Sequence, residues 1–232
     1  MKKADPGITT GMHRRRFLNI LTAGAALTLP VGWVCADDSN LWVPDDLPVT
    51  PAQVEGPFYP IPSIEQQLFN DTDLTRKLPE DELALGQLVH INGVVMSQKG
   101  MPLKDAVVEI WQASSAGLYN HPDDSAEHPD LDQDFQFWGR FVTGADGAYS
   151  FSSIIPGEYT GRTARHIHFR VDAPGYSRLI TQSYFSQYGD RNMQDGIYRR
   201  LNQQGREALT VEFENPRDEA WQGAFNIVLA VA

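Results

Sequence analysis

The chain has 232 residues, 19 lysines and arginines against 30 aspartates and glutamates, a formal net charge of −11 and one cysteine. A field of that sign argues against nucleic acid and anionic membrane surfaces as partners, and a single cysteine excludes an internal disulfide framework. No repeat or low-complexity tract stands out, and the length is enough to bury one core without covalent staples.

The first 36 residues read as a targeting segment. Arg14, Arg15 and Arg16 precede Phe17 and Leu18, an apolar stretch of small residues follows, and Val34, Cys35 and Ala36 close it ahead of Asp37. This basic, apolar, cleavable order predicts a twin-arginine export signal, hence a periplasmic protein with no membrane anchor after cleavage. The alternative is a retained anchor, but the apolar stretch is short for a span and Pro30 and Gly32 interrupt its end. Lipid attachment at Cys35 would have the bulky Trp33 and Val34 as neighbours. Without residues 1–36 the chain carries 14 basic and 29 acidic residues and no cysteine. Twin-arginine export carries folded proteins, which suits one that takes up its cofactor in the cytoplasm.

Residues 37–86 are expected to form an extended arm, packed through Trp42, Phe58 and Tyr59, and then a polar loop. Residues 87–232 are expected to form the domain proper. LVHINGVVMS, DAVVEIWQA, FWGRFVT, AYSFSSI, HIHFRVD, RLITQSYF, ALTVEFE and GAFNIVLAV alternate or run apolar between turns rich in Gly, Pro and Asp. The Gly-Ala-Asp-Gly turn between the third and fourth is a hairpin signal, a long loop spans residues 114–136, and residues 190–206 have room for a short helix. Eight short strands with few helices predict an all-β fold, one antiparallel β-sandwich with long loops and an extended N-terminal arm.

The strand HIHFRV poses the functional question. Period-2 geometry puts His166, His168 and Arg170 on one face and Ile167, Phe169 and Val171 on the other. Two imidazoles side by side are either a wet surface or a shared binding site. Tyr119, in a polar loop, and Tyr159, just before the histidine strand, each have an ordinary reading as loop-capping residues. Together with His-x-His they suit ferric iron: phenolates are hard anionic ligands, imidazole is borderline, and a trivalent metal holds tyrosine deprotonated far below its free pKa of about 10.

TPAQVEGPFYP, TGADGAYSFSSIIPGEY, HIHF and LITQSYF, in that order, resemble the intradiol ring-cleaving dioxygenases, above all the protocatechuate 3,4-dioxygenase type, from about Thr50 to the C-terminus. The resemblance implies a β-sandwich with non-haem Fe(III) held by Tyr119, Tyr159, His166 and His168, and an active-site glutamine at Gln182. It also implies a small aromatic diol and O2 as substrates, ring opening to a muconate-type diacid, and a homo- or hetero-oligomer. Tyr159 would be the axial ligand that leaves to accept a substrate proton. The family's arginine three residues before the first histidine is Thr163 here. Arg162 and Arg165 bracket it; Arg162 is the favoured counterpart, and Arg165 should point away from His166. Lack of room for a long helical N-terminal segment favours the protocatechuate-like branch over the catechol 1,2-dioxygenases.

Two other readings compete. A non-catalytic transthyretin-like binding module shares the patterns at residues 100–111 and 146–159, but has no reason to carry Tyr119, His166 and His168 together. A cupin-type metal enzyme would need a glutamate and a second glycine-histidine motif that do not follow. His90 is expected on the surface and His128 in solvent; His121, in the same acidic loop, is expected in solvent, with support of the site as the alternative.

Overall fold

The computed structural model describes residues 46–61, 71–124, 128–159, 161–215 and 220–232; the export segment and Trp42 lie outside them. Two five-stranded sheets make the sandwich. In the first, β1 (Leu88–Ser97) pairs antiparallel with β4 (Ala148–Ile154) and parallel with β9 (Trp221–Ala224) and β10 (Ile227–Leu229), while β8 (Phe213–Glu214) lies against β9. The second runs β3 (Trp138–Val142), β2 (Val107–Trp111), β5 (His166–Asp172), β6 (Leu179–Phe185) and β7 (Thr210–Val211). Alternation sends Val89, Ile91 and Val95 of β1, Val108 and Ile110 of β2, and Ile167, Phe169 and Val171 of β5 into one buried core. Phe169 meets Tyr149 from the first sheet and Phe225, with ring centroids 6.1 and 5.0 Å apart. No described helix is long and apolar enough to cross a membrane.

The sandwich is the expected one, with three refinements. The Gly-Ala-Asp-Gly turn reverses the chain, with the Gly147 amide donating to the Gly144 carbonyl at 3.0 Å, but it does not make a hairpin. β3 pairs with β2 and β4 with β1, so the turn carries the chain from one sheet to the other. A turn signal reports reversal; which sheet each strand joins is settled by the long edge that β1 offers to β4. The segment GAFNIVLAV is not one strand. It breaks at Phe225 and Asn226, where the Phe225 amide donates to Asn92 and the Asn226 side chain accepts from the Val94 amide, so β9 and β10 pair with successive stretches of β1. These pairings and β6 with β7 are parallel, and both sheets are therefore mixed. The expected helical region holds a turn at Gly189–Asn192, a 3-10 turn at Tyr198–Arg200 and a helix at Gln203–Leu209, capped by the Asn202 side chain accepting from the Gly205 amide.

The arm is tied down by backbone bonds. Thr50 donates to Val228 of β10 and Gln53 to Ile180 of β6, while the Thr181 hydroxyl donates to the Pro51 carbonyl. This route leads residues 54–59 across the outer face of the second sheet.

Gly93 tests the C-terminal seating. A Cβ there would lie 2.0 Å from the Phe225 carbonyl oxygen and 2.9 Å from the Tyr149 hydroxyl. Gly93→Ala should lower stability by about 2 kcal/mol or more, read as a lower urea midpoint; an unchanged midpoint would mean that this close approach does not exist.

Candidate active site

The histidine face of β5 is the outer face of the second sheet, and it is buried. His166 and His168 are each 2% exposed. In register, His168 stands between Trp111 of β2 and Gln182 of β6, and His166 opposite Tyr184. Directly opposed residues share a face, so Trp111, His168 and Gln182 form one row. Trp111 stacks on His168, 4.7 Å between ring centres and 10° from parallel. The next row holds Glu109 and Arg170, where the Tyr59 hydroxyl donates to Glu109 and accepts from Arg170, each at 2.8 Å. That pair anchors the arm, and Gly56, at φ +76°, lets it pass close over His168.

The two tyrosines arrive from different loops. Tyr119 follows β2, its amide held by the Asp124 carboxylate at 2.9 Å. Tyr159 follows β4, in a tight exchange of backbone bonds with Arg162. Ring centres are 5.4 Å apart for Tyr119 and Tyr159, 5.8 Å for Tyr159 and His166, and 4.8 Å for His166 and His168. Phe58 of the arm closes over both phenols at 4.8 and 6.2 Å.

Their protonation follows from burial. The His166 Nδ1 lies 2.6 Å from the Ala164 carbonyl. A carbonyl only accepts, so Nδ1 carries the proton and Nε2 keeps its lone pair, 3.4 Å from the Tyr159 hydroxyl. Burial, then the Arg162 charge, push His166 down to about 3, and burial holds His168 well below its ordinary value. Both rings are neutral at pH 7, the form that binds metals. Burial, then Tyr159, push the Tyr119 phenol well up; burial also raises Tyr159, against the pull of Arg162.

This donor set fits a metal of high charge. The Tyr119 hydroxyl is buried without a hydrogen-bond partner, a condition that costs about 1–3 kcal/mol and that a cation at the oxygen would relieve. Among the described residues no group of three or more His, Cys, Asp or Glu side chains could hold a metal, so the phenols are needed to complete a set with the two imidazoles.

Arg162 and Gln182 stand beside these donors. The Arg162 Nη2 donates to Gln182 Oε1 at 2.8 Å and its Nε to Asp195 Oδ2 at 2.9 Å. Gln182 also accepts from the Tyr184 hydroxyl and donates to the Val54 carbonyl of the arm. Asp195, wholly inside, accepts from the Ile197 and Tyr198 amides through its other oxygen. Arg165 faces away, as the strand phase requires, donating to the Pro156 carbonyl and lying 4.7 Å over the Tyr188 ring. Thr163 donates its hydroxyl to the Arg191 carbonyl. All six sequence-derived candidates thus gather at one place, where a cleft of about 810 Å3 opens, lined in part by Tyr159 and Arg162.

Sequence reasoning missed Asp195 and Trp111. Trp111 was accessible through the alternation of VVEIW; Asp195 lies in an irregular segment with no local signal. The solvated role expected for His121 is overturned: the residue is 4% exposed, its Nδ1 accepts from the Asp123 amide, and its ring lies 5.6 Å from Phe58, because the arm covers the loop. His128 is exposed as expected, and His90 is half-buried, 3.0 Å from the Ser152 hydroxyl.

Comparison with known proteins places the chain. A family model described as Dioxygenase matches residues 54–231. The protocatechuate 3,4-dioxygenase beta chain of Burkholderia cepacia is 32% identical over 179 residues, covering 64% of this chain and 76% of the relative. Catechol 1,2-dioxygenase 2 of Acinetobacter lwoffii is 31% identical over 154 residues, 57% of this chain and 50% of the relative, so the chain spans about half of that protein. Among solved structures, the dioxygenase domain of a dioxygenase–carbohydrate-binding fusion from Streptomyces sp. SirexAA-E is 31% identical with a TM-score of 0.60, over 80% of this chain and 100% of that one. With the family pattern running through nearly all of the sandwich, the chain belongs to the intradiol ring-cleaving dioxygenases.

Proposed function

We propose that this protein is a non-haem Fe(III) dioxygenase that opens catechol-type diols between their two hydroxylated carbons to give muconate-type diacids. One observation carries the reading: two neutral imidazoles, a buried phenol with an unpaired hydroxyl and a second, half-buried phenol converge beside a cleft large enough for a small aromatic ring. A non-catalytic sandwich module has no use for such a set.

Tyr119, Tyr159, His166 and His168 would hold the iron. Bound there, ferric iron would supply Lewis acidity and an electron sink for a chelated diol. The protein's own groups divide the remaining work. Tyr159 borders the cleft, and as the phenolate that a bound metal would keep deprotonated it would accept a proton from an incoming diol hydroxyl. Arg162, fixed between Asp195 and Gln182, holds a positive charge at the cleft for negative charge that develops on the ring. Trp111 and Gly56 confine His168, and Phe58 shields the phenols from water.

The iron-loaded protein should show a broad visible charge-transfer band and consume oxygen with at least one member of a panel of catechol, hydroxyquinol and protocatechuate. His168→Ala should lose most of its iron. A colourless protein at full iron occupancy, stoichiometric zinc, or an unaltered iron content in the variant would reject the assignment.

Tyr159→Phe separates binding from chemistry. The ring and its packing remain, so the variant should fold and keep iron, more weakly, on the other three donors. Turnover should fall by about 10² or more with a smaller change in KM, the pattern of a lost proton acceptor. A wild-type kcat would remove Tyr159 from the reaction.

The leader supports export as a folded protein to the periplasm. Replacing Arg14, Arg15 and Arg16 together with lysine should leave the protein in the cytoplasm, since the receptor reads guanidinium pairs rather than charge alone. Unchanged export in a strain lacking the twin-arginine pore would refute it.

A further inference from the structure

Among the described residues four charged side chains line the cleft: Arg162, Arg191, Glu158 and Asp124. Their formal charges cancel, and both cations are already engaged. Arg162 is balanced by Asp195 and hydrogen-bonded to Gln182. Arg191 grips Glu158 through Nε, at 3.0 and 3.1 Å from the two carboxylate oxygens, and again through Nη2; its Nη1 donates to Gln194 Oε1 at 2.8 Å. Much of the remaining wall is apolar: Val54, Pro57, Phe58, Ala116, Leu118 and Ile197.

We propose that this cleft selects diols whose ring carries no charged substituent, and that the Glu158–Arg191 pair sets the preference; this rests on the diol-cleaving reading above. A ring carboxylate entering the cleft has two options. It can pull Arg191 away from Glu158, leaving one carboxylate without its partner, or it can lose hydration near Glu158 and Asp124 with no released cation to receive it. A hydrogen, methyl or halogen in the same place meets apolar wall and gains from burial. The preference therefore departs from the carboxylated diol in the name of the Burkholderia relative. Glu158 and Arg191 act on the distal end of the substrate, so they are specificity residues and not catalytic ones.

The test is anaerobic calorimetric titration of the iron-loaded protein with catechol, 4-methylcatechol and protocatechuate, followed by oxygen uptake with each. The wild type should bind catechol and 4-methylcatechol at least about tenfold more tightly than protocatechuate. Glu158→Gln is nearly isosteric and releases Arg191, so it should narrow that gap by about fivefold or more, and the double variant with Arg191→Ala should reopen it. Protocatechuate binding as tightly as catechol in the wild type, or a gap that Glu158→Gln does not move, would overturn the proposal. Diols bound in the expected order without oxygen uptake would reject the dioxygenase reading and leave the cleft preference standing. Tighter binding and faster uptake with protocatechuate would do the reverse, and binding of no diol would reject both.

Discussion

Two imidazoles can stay buried side by side on the outer face of a sheet only if other segments roof them over. The inner face of β5 belongs to the sandwich core through Ile167, Phe169 and Val171, and needs nothing beyond the opposing sheet. The outer face has no such partner. Its cover is assembled from the arm, the loop that brings Tyr119 and the turn that brings Tyr159, with Trp111 alongside. Removing water from that face makes both rings neutral and raises both phenols, so the same burial that has to be stabilised also sets the chemistry.

The arm links these parts. Gln182 is central to this link: one side chain binds the arm through Val54, steadies Arg162, and accepts from Tyr184. Arg162 is held from the other side by Asp195, which is itself fixed by two backbone amides. Its charge is therefore held in place by the protein alone. A buried carboxylate with this many donors stays ionised: burial would raise Asp195, but the Tyr198 amide and Arg162 bring it below its usual range.

How much of this was legible in the sequence depends on the range of the interaction. β1, β4 and β5 have the bounds read from their alternation, because period-2 patterning is local and one face of each is core. The convergence of the four candidates was legible because His-x-His places both rings on one face by strand geometry alone, and because the family pattern supplied the two tyrosines. Sheet membership was not legible. FWGRFVT and AYSFSSI are neighbours in sequence and partners of different strands, since pairing is decided by distant segments that a turn motif does not record. The split at Phe225 and Asn226 was hidden for the same reason, as it depends on Asn92 and Val94 of β1. Asp195 and His121 gained their roles only when other segments closed over them.

The positions that make the site are spread from Val54 to Asp195, and apart from the histidine pair and the turn that joins Tyr159 to Arg162 they come together from distant segments. Tyr119 and His168 are placed by long-range contacts, the first by packing under Phe58 and the second by Trp111 and the arm, while Tyr159 is placed by its local exchange with Arg162. Loop closure over such separations is unfavourable until the contacts it permits have formed. The site is therefore a product of the completed sandwich rather than a nucleus for it. The unpaired Tyr119 hydroxyl and the desolvated imidazoles are stresses that the finished fold carries at the site, and a cation bound by them would add its binding free energy to the stability of the folded state alone. That coupling gives the arm its importance: whatever loosens residues 54–59 exposes His168 and frees Gln182, and so disturbs the imidazole pair and the arginine in the same step.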